Sequence, residues 1–178
     1  MRSVDLSGTK FSPLEFSDVR FEDVELSNAP WHGVRARRTE IVRSRTVGFR
    51  LSLASANDVH VDGCRLDYAS IHVESVKGAP VFHSCTFREA TISGGLSNVV
   101  FSDCSLDGVE FEATKAAGCD LTTSRIAGAR GLLGPRGARI AAEQAASAAI
   151  IIATEAGLRV RAPHLFPRIA IVPTRESE

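Results

Sequence analysis

Large apolar side chains recur at every fifth position along most of the chain. Leu6, Phe11, Phe16, Phe21, Leu26 and Trp31 open the series. Ile41, Leu51, Val61, Leu66, Ile71, Val76, Val81, Leu96, Phe101, Leu106, Phe111, Leu121 and Ile126 continue it. A helix repeats about every 3.6 residues and a strand about every 2, so neither produces this beat. A fixed period held over such a length marks a repeat architecture. Two positions before each large residue stands a small apolar one, as at Val4, Val19, Val24, Ala29, Val34, Ala54, Val59 and Cys64. The positions between are mostly polar, Gly or Pro. The small and the large residue share one face of a short extended piece, and the rest of the unit must turn the chain. Four such sides close a coil of about 20 residues, and no coil is stable without its neighbours.

Stacking coils on this period predicts columns of like residues. One reads Phe21, Ile41, Val61, Val81, Phe101, Leu121; another reads Phe11, Trp31, Leu51, Ile71, Thr91, Phe111. The units Cys104-Ser105-Leu106-Asp107-Gly108, Cys119-Asp120-Leu121-Thr122-Thr123 and Val24-Glu25-Leu26-Ser27-Asn28 resemble the consensus Ala-Asp/Asn-Leu-x-x of the pentapeptide-repeat family. The resemblance covers residues 4–131. It implies an all-β fold, a right-handed quadrilateral parallel β-helix, with a C-terminal α-helix as cap.

The beat falters in places. Phe87 and Ile92 take over as large residues, with Cys85 and Ala90 before them, until Leu96 restores the phase. This predicts a bulge over 82–95, with a second near 73–75. Glu74 and Glu89 fall on nominally inward positions, where an unpaired carboxylate is costly. After Gly131 the beat stops at Gly131-Leu132-Leu133-Gly134-Pro135-Arg136-Gly137, a breaker. An Ala-rich helix is expected over about 141–156, ended by Gly157. Ile140-Ala141-Ala142-Glu143-Gln144 resembles the Ile-Thr-Pro-Glu-Gln start of the family's terminal helix.

One helix stripe holds Ala145, Ala149, Ile152 and Ala156, and a second holds Ala142, Ala146, Ile150 and Ala153, with Ile151 outside both. That is more apolar surface than one cap needs. Ala145, Ala149, Ile150, Ile151 and Ile152 are the expected cap and dimer residues, and the family resemblance likewise implies a homodimer through the C-terminal ends. The chain thus divides into a repeat β-helix (1–131), a helical cap and dimerisation element (132–160), and an extended tail with Pro163, Pro167 and Pro173 (161–178).

The 178 residues carry 21 basic and 21 acidic side chains, so overall charge points to neither nucleic acid nor membrane. No secretory leader or membrane-spanning run is read, and a cytoplasmic protein is expected. Cys64, Cys85, Cys104 and Cys119 match no CxxC spacing and read as small buried hydrophobes. The basic run Arg35, Arg37, Arg38, Arg43, Arg45 and Arg50 lies on outward positions. Stacking sets Asp18 and Asp58 beside Arg38, Asp23 beside Arg43, Glu25 beside Arg45 and Glu15 beside Arg35, as cross-strand ion pairs. Arg37 and Arg50 are left as candidate partner-binding residues.

Acids dominate residues 51–128, and Asp62, Asp67, Asp103, Asp107, Glu110 and Glu112 join the candidates. Some pentapeptide-repeat proteins imitate duplex DNA and bind DNA gyrase or topoisomerase IV. The resemblance therefore implies a DNA mimic that modulates a type II topoisomerase or protects it from inhibitors. The alternative is a protein-binding scaffold with an unrelated partner. A continuous acidic stripe favours the first and alternating paired charges favour the second. His83, Cys85 and Asp103 form one weak metal or nucleophile constellation. No phosphate loop or dinucleotide fingerprint is present, so no catalysis, cofactor or metal is expected.

Overall fold

The computed structural model of the protein describes residues 1–161. Apart from Arg161, the tail expected over 161–178 lies outside the described residues. Three long strands wind through the first half: β1 (Leu14–Glu22), β2 (Pro30–Val42) and β3 (Arg50–Asp62). Short strands continue the path as β4 (Ser70–Val73), β5 (Val76–Lys77), β6 (Val81–His83), β7 (Thr91–Gly95), β8 (Val100–Ser102) and β9 (Glu110–Lys115). Every pairing is parallel, Phe21 against Ile41 and Ile41 against Val61. The result is a four-sided parallel β-solenoid closed by one helix, α1 (Ala142–Glu155).

The four sides follow from the unit. Residues 14–17 open the first face, 19–22 the second, 24–27 the third and 29–32 the fourth, and each recurs one coil later. Corners fall on the residue two after the large centre, where the backbone swings to positive φ: Asp23 (54°), Arg43 (47°) and Gly63 (59°) form one such column. The small and large residues point inward. Val24, Leu26, Ala29 and Trp31 are all at most 1% exposed. Burying each large side chain contributes about 1.5–3 kcal/mol, and coil-to-coil amide hydrogen bonds satisfy the backbone. The interior is filled apart from two small apolar voids of about 40 and 20 Å³.

Several expectations need correction. Val61 pairs with Phe82, which pairs with Phe101, so the column runs through Phe82 and not Val81. The extra residue enters earlier than 82. Asn57 still pairs with Lys77, but His60 pairs with Val81. The bulge is therefore Gly78-Ala79-Pro80, with Pro80 buried and Ala79 exposed. A short step at Gly94–Gly95 restores the frame, marked by a register shift against β9. Near 73–75 the register between β3 and β4 is unbroken. Instead, Leu53 and Val73 occupy the inside in place of Ala54 and Glu74. A one-residue change of phase turns each side chain to the other face, so Glu74 faces solvent. Glu89 is likewise exposed, at a corner with φ 51°.

At the C-terminal end the solenoid runs past the boundary expected at 131. Asp120 bridges Arg139, and Arg139 N–H donates to the Cys119 carbonyl at 2.8 Å. Helix α1 then covers the last coil. Gln144 Nε2 donates to the Leu121 carbonyl at 2.8 Å and to that of Ser124, Ala148 is 2% exposed, and Ile152 packs on the core. The seated stripe is thus Gln144, Ala148 and Ile152 with Ile151. Ala145, Ala149 and Ile150 point away from the rod, the last 56% exposed. Among the described residues no helix is long and apolar enough to cross a membrane.

Candidate partner-binding surface

Because inward positions are apolar, chemistry is confined to the outward columns and corners. There, residues one coil apart sit side by side. Arg38 makes two hydrogen bonds to Asp18, at 2.5 and 2.6 Å, and Arg43 lies 3.1 Å from Asp23. Arg45 reaches Glu25 at 3.9 Å. Glu15 and Arg35 are register partners but form no ion pair among the described residues. Higher up, Arg125 pairs with Asp107, Arg130 with Glu89 and Glu110, and Arg139 with Asp120.

One hub is missing from the sequence pattern. Glu22, 8% exposed overall, holds Arg2 at 2.6 Å, Arg43, and Arg20 at 3.6 Å. Hydrogen bonds from Arg2 and then Arg43 lower its pKa to about 2, and Arg38 and Ser17 do the same for Asp18. The sequence does carry a signal for Arg2, which stands one coil below Glu22. Arg20 reaches it along the same strand and Arg43 diagonally from the next coil, each through the length of the arginine side chain.

These shifts fix a pH dependence. A carboxylate with a depressed native pKa stabilises the fold above its unfolded value, and that contribution is lost as pH falls toward the native value. Glu22→Gln is therefore expected to melt below the parent at neutral pH. The gap should close between the ordinary value of 4.5 and about 2. Melting curves across that interval check it, and a gap that ignores pH would refute the assignment.

The candidate residues do not form one surface. Arg37 lies on the first face, its Nε 3.3 Å from Ser17 Oγ, and Arg50 lies on the fourth at the start of β3. Asp62 is half-buried on the second face. Asp103 is an exposed corner, 3.8 Å from His83 Nδ1. Asp107 is on the third face, and Glu110 and Glu112 are on the fourth, in β9. Asp67 is 6% exposed on the third face, accepting from Arg88 N–H and Arg65 Nε, each at 3.0 Å. Burial works to raise its pKa, but hydrogen bonds from Thr86, Arg88 and Arg65 outweigh it and hold it below the carboxylate norm. The acids form a belt around the upper coils, mostly paired, and not a stripe along the rod.

The His83, Cys85, Asp103 constellation is split by the wall. Cys85 Sγ points inward, 3.2 Å from the His83 carbonyl, while His83 and Asp103 face out. Among the described residues no group of three or more His, Cys, Asp or Glu is arranged to hold a metal ion. Burial pushes the Cys119 thiol up to about 12. The repeat pattern also gives no notice of Tyr68, a 60% exposed ring on a corner with φ 59°.

No family model and no curated protein matches this chain. Among solved structures it is similar to a trypsin-treated variant of QnrB1, a plasmid-mediated fluoroquinolone resistance protein. That match has 17% identity over 90% of this chain and 86% of that one, with a TM-score of 0.38. Full-length QnrB1 gives 15% identity over 87% and 98%, with a TM-score of 0.26. HetL, a pentapeptide repeat protein involved in heterocyst differentiation regulation from the cyanobacterium Nostoc, gives 14% identity over 79% and 80%, with a TM-score of 0.22. The solenoid stands on this chain's own strand register.

Proposed function

We propose that the protein is a non-catalytic rod that displays outward side chains to protein partners. The observation that carries this is the alternation of paired opposite charges in columns one coil apart, on a filled solenoid. Such a wall is rigid and offers fixed spacings, which suits recognition on a scaffold. The outward face of α1, with Ala145, Ala149 and Ile150, supports a homodimer through the C-terminal ends. The test is a photo-crosslinking amino acid placed in turn at Asn57 on the first face, Tyr68 on the third-to-fourth corner and Ile150 on α1, in living cells. Discrete adducts from at least one position are expected, and their absence from all three would end the scaffold reading.

DNA imitation is the second reading. The belt Asp103, Asp107, Glu110 and Glu112 favours it, since it concentrates acids in one coil and its neighbours. Zero net charge and the ion pairs of Asp107 and Glu110 weaken the potential it can project. In this reading gyrase or topoisomerase IV is the partner. A gyrase supercoiling assay with and without a quinolone decides it: neither inhibition nor protection at micromolar protein removes it.

A further inference from the structure

Two features of the third face work against stability. Arg45 and Arg65 are direct register partners, like charge beside like charge, an arrangement that destabilises adjacent strands. Both stay largely in solvent, with side chains 65% and 59% exposed. At the next corner Tyr68 holds φ 59°, a region that costs about 1–2 kcal/mol for a residue with a Cβ. The repeat imposes this conformation on twelve non-glycine corners among the described residues, and Tyr68 is the one aromatic ring placed on them.

The local architecture holds these groups in place. Buried Asp67 binds Arg65 through one oxygen and the Arg88 amide through the other. Tyr68 N–H donates to the Arg88 carbonyl at 2.8 Å, which fixes Arg88 one coil above Asp67. The corner one coil below Tyr68 is Gly48, which puts no side chain beside the ring. Arg50 lies just around that corner, paired in register with Ser70. The nearby acids are already engaged: Glu25 with Arg45, Asp67 with Arg65, Glu89 with Arg130. Among the described residues Arg50 and Arg88 have no ion pair.

We infer that Arg45, Arg65 and Arg88, with Tyr68 at their corner and Arg50 beyond it, dock a short acidic segment of a partner protein. The inference rests on the protein-binding reading and names its face and partner chemistry. Guanidinium groups pair carboxylates through parallel hydrogen bonds, and Tyr and Arg dominate the energetics of protein interfaces. The patch covers three successive coils, whose two rises make it roughly 10 Å tall. Glu25 bounds it below, and Asp107 and Glu110 bound it above. A nucleic-acid backbone tracking along the rod meets those carboxylates, whereas a short peptide laid across these three coils does not.

The test titrates the full chain into a fluorescein-labelled twelve-residue peptide of Glu and Asp with one central Leu, read by anisotropy. Binding in the micromolar range is expected, weakened about tenfold by Arg45→Glu or Arg88→Glu. Arg35→Glu, exposed on the first face, should leave it unchanged. Tyr68→Gly separates recognition from folding: it should weaken binding about fivefold while raising Tm by about 2–4 °C, because strain is relieved as the anchor is lost. Peptide binding indifferent to both arginine variants, or a short labelled duplex DNA bound more tightly than the peptide, overturns the proposal. So do cellular crosslinks from Asn57 or Ile150 with none from Tyr68, an outcome that leaves the scaffold reading standing. Crosslinks from none of the three sink both.

Discussion

Phe101→Ala is expected to cost about 3–5 kcal/mol, a large part of the stability of a domain this size. The ring is 1% exposed and lies in the middle of the rod. It stacks on Phe82 with centroids 5.2 Å apart and an interplanar angle of 9°, and meets Phe87 edge-on at 5.7 Å. These rings come from two adjacent coils, so truncation removes contacts across the layer as well as within it. A solenoid transmits such damage, since each coil is stable only through its neighbours. Chemical unfolding followed by the fluorescence of Trp31, the sole tryptophan, measures the loss. The same truncation at Phe11, 37% exposed on the first coil, should cost much less. A loss at Phe101 below about 1.5 kcal/mol would contradict the packing described.

That layer also shows where sequence reading works. Phe101 stands in its column because the beat places it there. Val81 and Phe82 are both apolar, so pattern alone cannot choose between them, and the register against Val61 can. The signal for the added residue is the breaker Gly78-Ala79-Pro80, one unit before the visible change of phase. Leu53 and Val73 are larger and more apolar than Ala54 and Glu74, so composition at that corner already favours the observed inside. The helix is legible as a helix, but alanine suits either environment and does not declare a face. Gln144 does, by reaching two open carbonyls of the last coil.

The candidate surface is legible only pair by pair. Stacking arithmetic gives Arg38 with Asp18 and Arg43 with Asp23, because register puts them side by side. For Glu22 it gives Arg2 alone, because Arg20 joins along the strand and Arg43 by diagonal reach. It also groups acids that the fold separates. Residues 103 to 112 travel about half a coil, so Asp103, Asp107 and Glu112 must look in different directions. Tyr68 carries no signal in the repeat, because a turn position is undemanding until its φ is known.

Gly94→Ala is expected to cost about 2–4 kcal/mol, combining left-handed strain with forced displacement of a packed strand. Gly94 has φ 89°, and a Cβ there would lie 2.1 Å from the Val73 carbonyl oxygen and 3.0 Å from its carbon. Both are backbone atoms of β4, which pairs with β7 at this point. Relief therefore needs a strand to move, not a side chain to rotate. The residue sits where the short step cancels the bulge at 78–80, so the frame of every later coil depends on the approach it allows. Gly8 provides the control: its φ is 63°, but nothing lies within 4 Å of its added Cβ, so alanine there should cost about 1 kcal/mol, from backbone strain alone. Equilibrium unfolding of both variants separates the two contributions. Equal losses would mean that close contact with Val73 does not constrain the frame, and that the coil above it can shift to admit a methyl group.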